Sequence, residues 1–490
     1  MESALALFIQ KLKIRSDTMY NSKSKKAEEF IDDGEIRRTM DYARDNKENK
    51  ELILSIMAKA EKMKGLTYEE AALLLECDYE DVNGMIFDLA KRIKKKIYGN
   101  RIVMFAPLYL SNYCVNGCTY CPYHFANKNI CRKKLSQQEI EKEVIALQDM
   151  GHKRLALETG EDPVNCPIEY VLESIKTIYA IKHKNGAIRR VNVNIAATTV
   201  ENYKKLKDAG IGTYILFQET YNKEVYEKIH PTGPKSNYAY HTEAMDRAME
   251  GGIDDVGMGV LFGLYGYKYD FIGLLMHAKH LEDVFGVGPH TLSVPRIRPA
   301  DDIDLKDFPD AVTDDVFKKI VAILRIAVPY TGIIVSTRES KKSREEVLEL
   351  GVSQISGASR TSVGGYAEGE EEEENSAQFD ISDNRTLDEV VNWLLKLGHI
   401  PSFCTACYRE GRTGDRFMAF AKSGDISMSC QPNAIMTLKE YLDDYASEET
   451  KKNGEKIILQ EMDNLINKDI KDIVAERLAE IDLGKRDFRF

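Results

Sequence analysis

From residue 101 onward, short apolar runs alternate with helical patterns eight times, and this alternation constrains the fold more than any other feature. The runs are RIVMFAPLY (101–109), RLALETGE (154–161), RVNVNIAA (190–197), GTYILFQE (212–219), DVGMGVLFG (255–263), HTLSVPRI (290–297), GIIVSTRE (332–339) and VSQISGAS (352–359). Between them lie amphipathic segments such as SQQEIEKEVIALQDMG and VENYKKLKDAG, the second ending at a glycine. Eight βα repeats predict a closed parallel barrel of ~250 residues, with function at the C-terminal ends of its strands. The expected fold class is α/β: a (βα)8 TIM-type barrel with a helical N-terminal part and a mainly helical C-terminal part. The segments read as 1–100 helical, 101–366 barrel, 367–384 acidic linker around AEGEEEEENSAQ, and 385–490 C-terminal domain.

The polar residues fall where a barrel active site needs them. Strand two ends in Thr159-Gly160-Glu161-Asp162, strand four in Gln218-Glu219-Thr220, strand six in Pro295-Arg296, and strand seven in Thr337-Arg338-Glu339. Asn192 and Asn194 alternate with Val191, Val193 and Ile195, so both face one side of their strand, expected to be the barrel interior. A polar interior implies a polar ligand.

Cysteine spacing supplies the chemistry. Cys114, Cys118 and Cys121 form CxxxCxxC in SNYCVNGCTYCPY, directly after strand one. Three thiolates hold three irons of a 4Fe–4S cube and leave the fourth iron open to a small molecule. Zinc sites favour CxxC pairs and four ligands, so the spacing favours the cube. Cys404, Cys407 and Cys430 form CxxC followed after 22 residues by a third cysteine. Here zinc and iron–sulfur are evenly matched, because His399 would complete a Cys3His site. Cys77, Cys131 and Cys166 are isolated and read as idle or buried thiols.

The net charge of −11 leaves no electrostatic footprint for nucleic acid. The capping signature Thr67/Glu70 and the run DVNGMIFDLAKRIKKKIYG therefore predict two helices of a packing collar in preference to a DNA-reading helix-turn-helix, and KRIKKK a solvated face. No apolar stretch reaches the ~18 residues of a membrane span, and MESALALFIQKLK lacks the marks of a signal peptide. The expected setting is a reducing, anaerobic cytoplasm.

CxxxCxxC with an aromatic residue, Tyr120, before its last cysteine resembles the radical S-adenosylmethionine (SAM) superfamily. In that superfamily the open iron chelates SAM, and an electron from the cluster cleaves it to a 5′-deoxyadenosyl radical. APLYLSNYCVNGCTYC, GHKRLALETGEDPVNCPIEY, RRVNVNIAATTVENY, ILFQETY, HPTGPK, GVGPHTLSVPRIRPA, PYTGIIVSTRE and the C-terminal CTAC…C resemble the tyrosine lyases of FeFe-hydrogenase maturation over nearly the whole chain. The similar thiamine-pathway tyrosine lyase lacks the C-terminal cysteines and would stop at dehydroglycine. The resemblance implies a SAM-binding 4Fe–4S cluster on Cys114, Cys118 and Cys121. It implies cleavage of the Cα–Cβ bond of L-tyrosine to p-cresol and dehydroglycine. It further implies conversion of that fragment to CO and cyanide at an auxiliary cluster on Cys404, Cys407 and Cys430. That cluster would carry an extra iron, joined through a free cysteine and a histidine (His290 or His280), and the product would be an iron carbonyl–cyanide synthon. Arg338 is the implied partner of the tyrosine carboxylate, the alternative being an ion pair with Glu339. Glu161 and Asn194 are the implied SAM contacts, although Thr159-Gly160-Glu161 departs from the superfamily's Gly-Gly-Glu. Asn192, Asn194 and Gln218 are expected to line a route for small fragments through the barrel. An electron donor and other hydrogenase maturation proteins are the implied partners, with no nucleic acid and no membrane. A rival from another class is a regulatory or scaffold protein with zinc at both cysteine sites.

Overall fold

The computed structural model describes residues 19–367, 376–423 and 426–490, without the side chain of Ser427. Eight parallel strands close into a barrel: β1 (Arg101–Ser111), β2 (Arg154–Thr159), β3 (Arg190–Asn194), β4 (Tyr214–Glu219), β5 (Val256–Val260), β6 (Thr291–Ser293), β7 (Gly332–Val335) and β8 (Gln354–Ser356). β8 closes the ring on β1, with Val103 opposite Gln354 and Phe105 opposite Ser356. Seven of the strands lie within their apolar runs, and β1 fills its run and continues two residues beyond it to Ser111. Most of the other runs outlast their ladders, and their trailing residues form the loops at the C-terminal mouth.

Both faces of the sheet are covered, as a parallel sheet requires. On β1 the outward residues Ile102, Met104, Ala106 and Leu108 are wholly buried beneath the helices. The inward residues Val103, Phe105, Pro107 and Tyr109 line cavities. The helix Gln137–Met150 starts at a capping box from Ser136 and Glu139 and stops at Gly151, whose φ of 100° a glycine adopts without strain.

The N-terminal helices form a collar. Tyr68–Glu76, opened by the Thr67/Glu70 capping box, packs on Tyr267–Phe285, and Glu80–Tyr98 packs on Asp314–Ala327. The KRIKKK stretch is solvated except at Ile93 and Lys94, which are buried. Residues 1–18 of the N-terminal region lie outside the described residues.

The C-terminal segment adds a ninth strand, β9 (Ile400–Ser402), parallel to β1 at its N-terminal end. The sequence analysis missed this strand because it is three residues long and contains Pro401, which an edge strand tolerates. The helix Ile426–Asp444 packs across β9. The acidic run 368–375 lies outside the described residues. The flank that follows, read as linker, is packed: Asp383 is buried and paired with Arg344, and Gln378 and Phe379 reach the barrel mouth. Among the described residues no helix is long and apolar enough to cross a membrane.

Candidate active site at two ends of one barrel

The loop after β1 carries Cys114, Cys118 and Cys121 into a cavity of about 150 Å³ at the C-terminal mouth. Backbone hydrogen bonds pin it on both sides. Val115 N donates to Glu161 O (2.8 Å), Gly117 N to Thr232 O (3.1 Å) and Thr119 N to Ile229 O (2.9 Å). Gly160 permits this close approach, since a Cβ there would run into the Tyr113 carbonyl and stand 3.1 Å from Cys114 Cβ.

The wall of this cavity carries several buried polar groups. Asn116 donates to Glu161 Oε2 (2.6 Å) and accepts from Lys235 N (3.0 Å), so one side chain ties the cysteine loop to β2 and to the 230s loop. Burial raises the Glu161 carboxyl above its ordinary value, opposed by the Asn116 bond. Burial pushes Glu158 much further up, opposed by Arg338 and by a hydrogen bond with Asn194. Lys235 Nζ pairs with Glu219 at 2.8 Å. Tyr120 meets His230 Nε2 at 2.9 Å, while His230 Nδ1 lies 2.7 Å from the Tyr226 carbonyl. The carbonyl can only accept, so Nδ1 carries the proton and Tyr120 donates to Nε2.

Arg338 lies on this wall with its guanidinium 3.6 Å from the centre of the Phe379 ring. Glu339 is not its partner. That carboxylate is held by Arg296 and by Arg298, the latter at 2.5 Å. In place of an Arg338–Glu339 ion pair, the guanidinium stacks on an aromatic face beside the cavity, in the field of Glu158 and Glu219 and without a direct ion pair among the described residues.

The second set of cysteines meets at the opposite end. Cys404 follows β9, Cys407 lies on the helix Ala406–Arg409, and Cys430 on Ile426–Asp444. With His290 they line a cavity of about 70 Å³. Arg154 donates to the Cys404 carbonyl at 2.8 Å. A hydrogen bond with Cys407, together with the charge of Arg101, lowers the Cys430 thiol below its ordinary value. The His290 ring packs on Phe417 (4.6 Å between centroids), and its buried Nδ1 makes no hydrogen bond. It stands 3.4 Å from Asp255.

The structure separates the two candidate histidines. His280 stacks on Phe30 at 3.7 Å, with Nδ1 2.7 Å from Ser22 O and Nε2 3.0 Å from Asp246. Both nitrogens are thus engaged, away from the cysteines. His399 is likewise outside the cavity, 3.1 Å from Glu349.

One inward face runs from cavity to cavity. β1 gives Val103 to the N-terminal cavity and Phe105, Pro107 and Tyr109 to the C-terminal mouth. β2 gives Arg154, then Ala156 and Glu158, and β8 gives Gln354, then Ser356. Successive rungs on such a face are about 6–7 Å apart. Asn194 lies on the mouth side of this face. Asn192 is tied to Thr213 N (3.1 Å) below it. Gln218 is a correction. Ile215, Phe217 and Glu219 face inward on β4, so Gln218 points outward and donates to Thr242 (2.9 Å).

The donor sets fit iron–sulfur groups. Each cavity offers three thiols, and at the mouth His241 is spent on the Phe217 carbonyl (2.9 Å). A cube takes each thiolate on a different iron, so its ligands must stand apart. Among the described residues no three such groups converge on a single ion.

Residues 108–277 match the radical SAM superfamily, and 293–400 match the Biotin and Thiamin Synthesis associated domain. A crystal structure of HydG, a maturase of the [FeFe]-hydrogenase, superimposes with a TM-score of 0.91 and 57% identity, covering 94% of this chain and 100% of that one. The chain belongs to the HydG family. HydG from Carboxydothermus hydrogenoformans is 41% identical, with a TM-score of 0.79 and coverage of 92% and 99%. The 2-iminoacetate synthase of Salmonella typhimurium is 30% identical over 339 residues, 69% of this chain and 86% of that protein. As a radical SAM enzyme, this HydG-family chain uses a 4Fe–4S cluster and SAM.

Sequence reasoning missed several residues of the mouth. Glu158 was legible, being two and four residues beyond Ala156 and Arg154 on the inward face of β2. Lys235 and His230 sit in HPTGPK, whose polarity carried no positional signal. Gln378 and Phe379 follow an acidic run that gave no sign of returning to the barrel.

Proposed function

We propose that this chain is a tyrosine lyase that cleaves the Cα–Cβ bond of L-tyrosine to p-cresol and dehydroglycine at the C-terminal mouth. It then converts the dehydroglycine to CO and cyanide at the opposite end and assembles them as an iron carbonyl–cyanide synthon for an FeFe-hydrogenase active site. The observation that carries this reading is the pair of cysteine triplets at the two ends of one continuous inward face.

Bound at Cys114, Cys118 and Cys121, the cluster supplies the electron that splits SAM and so provides a deoxyadenosyl radical. Every other task falls to the side chains. Glu161 spends Oε2 on Asn116 and keeps Oε1 to accept from the methionyl amine of SAM. Asn194 holds Glu158 on the neighbouring strand and borders the same space. Arg338 takes the tyrosine carboxylate, since a planar guanidinium binds it through two parallel hydrogen bonds. The stack on Phe379 fixes that plane before substrate arrives. Exclusion of water protects the radical. At the far end Cys404, Cys407 and Cys430 would hold the auxiliary cluster, and His290, in the same cavity lining, would be the protein ligand of an extra iron carried with a free cysteine. His290 is preferred to His280 because it lines the cavity with the three thiols, whereas both nitrogens of His280 are engaged elsewhere.

Incubation of the anaerobically reconstituted enzyme with tyrosine, SAM and dithionite is expected to yield p-cresol; methionine and deoxyadenosine without p-cresol would contradict the lyase reading. Arg338→Ala is expected to cost about 2–5 kcal/mol in kcat/KM for tyrosine, because a buried carboxylate loses its partner. SAM cleavage should persist, and Arg338→Lys should recover part of the loss. Equal activity in the alanine variant would remove Arg338 from substrate binding.

The inward face also gives a route for fragments. Ala156→Phe, at the inner end of the mouth cavity and next on the inward face to Arg154 of the thiol cavity, is expected to leave p-cresol formation within about twofold while CO release falls roughly tenfold or more. If both fell together, the variant would have damaged the mouth and the route would lose its support.

A further inference from the structure

Outside both cysteine sites lies a cavity of about 810 Å³, between the N-terminal end of β3 and the C-terminal segment. It is lined by seven lysines and arginines against two aspartates. Some of these cations are spent: Arg189 pairs with Glu440 (2.9 Å), Arg409 with Asp487 (2.7 Å) and Arg486 with Asp444 (2.6 Å). Arg190, Lys182 and Lys207 have no carboxylate within ion-pair reach among the described residues.

Arg190 is the telling one. It is 2% exposed, and its guanidinium makes only neutral hydrogen bonds, to Asn192 Oδ1 (3.1 Å) and Thr213 Oγ1 (3.4 Å). It lies against the ring of Tyr408, whose hydroxyl also reaches Thr213 (3.2 Å). Gly212 makes room for it, since any side chain there would occupy the place of the guanidinium. The neighbouring buried Asp255, whose charge favours the Arg190 cation, accepts from Gly414 N at 3.0 Å through Oδ1 and makes no direct ion pair with Arg190. Burial pulls the Arg190 pKa down to about 9. A buried guanidinium without a direct ion-pair partner is costly, and a perturbed buried charge that lines a cavity is a candidate binding group.

Tyr408 lines this cavity and also the one holding Cys404, Cys407, Cys430 and His290. We propose that the basic cavity is an anion-binding vestibule, in which Arg190 and Lys207 hold a small carboxylate or other monoanion passing between solvent and the auxiliary thiol cavity, with the Tyr408 ring as the partition. The direction of travel rests on the function proposed above, whereas the anion site itself does not.

The test is calorimetric titration of the anaerobically reconstituted protein with sodium formate, without SAM or tyrosine. Formate is expected to bind with an affinity that falls as salt rises, and Arg190→Gln to weaken it roughly tenfold or more, with Arg190→Lys between. Lys207→Gln, at an exposed rim position, should weaken it independently of any folding defect at Arg190. Titration with L-cysteine distinguishes the sources: competition with formate marks an entering amino acid, and its absence an anion that leaves. No formate binding by the parent protein, or equal binding by Arg190→Gln and Lys207→Gln, would overturn the vestibule. A failure to form p-cresol would leave these binding results unchanged, so the two readings fail separately.

Discussion

Cys118→Ala is expected to abolish reductive cleavage of SAM while leaving the barrel folded. Cys118 is 6% exposed, and burial raises its thiol well above the ordinary range, with Lys235 as the nearby opposing charge. A thiol held protonated in this way is of no use alone; it becomes a thiolate when iron displaces the proton. On the proposed reading each of the three cysteines serves a different iron, so no neighbour substitutes for a lost one. Cys166, whose thiol is also raised by burial and which lies close enough to Cys114 to feel its charge, sits past the end of β2 and outside the cavity lining. Even partners one shell beyond a metal typically cost 10–100-fold, so loss of a direct ligand should exceed about a hundredfold. The measurement is deoxyadenosine formed with dithionite under anaerobic conditions. A variant that still cleaved SAM at the parent rate would refute the assignment of the first cluster.

Cys404→Ala should produce the opposite pattern: SAM cleavage and p-cresol formation near the parent level, and no metal-bound CO. The two cysteine sets share no lining residue, and the strands between them are held by barrel hydrogen bonds that do not involve Cys404. Removing the thiol opens space beside Arg154 and Arg101, which the adjoining cavity absorbs. The expected loss of bound CO is complete within detection, because two thiolates cannot fix a cube whose open iron carries the product. Infrared spectra of the quenched reaction read this directly. Loss of p-cresol in the same variant would mean that the C-terminal segment is part of the radical site.

The eight strands were legible because each is a run rich in Val, Ile and Leu bounded by turn residues, and a parallel strand buried on both faces must read that way. The cysteine sets were legible because ligand spacing is local in sequence. Four features were not, for physical reasons. Strand period alone does not say which alternate set faces inward, so Gln218 was placed inside when Phe217 and Glu219 occupy that face. A histidine's role depends on what else surrounds it, and only the folded chain shows His280 spent on Ser22 and Asp246 while His290 lines the cavity of the second cysteine set. The return of Gln378 and Phe379 to the mouth is a long-range contact with no periodic signature. The Arg190–Tyr408 stack joins residues more than two hundred positions apart in the chain and left no trace in either local sequence.

The central claim is that a fragment made from tyrosine at one end of the barrel becomes diatomic ligands on iron at the other. Infrared spectroscopy of the reconstituted enzyme during turnover with uniformly 13C- and 15N-labelled tyrosine tests it most directly. The account predicts metal-bound CO and cyanide bands that move to lower frequency with the label and are absent in Cys404→Ala. Formation of p-cresol and dehydroglycine with no such bands would contradict it and leave a thiamine-type tyrosine lyase in its place.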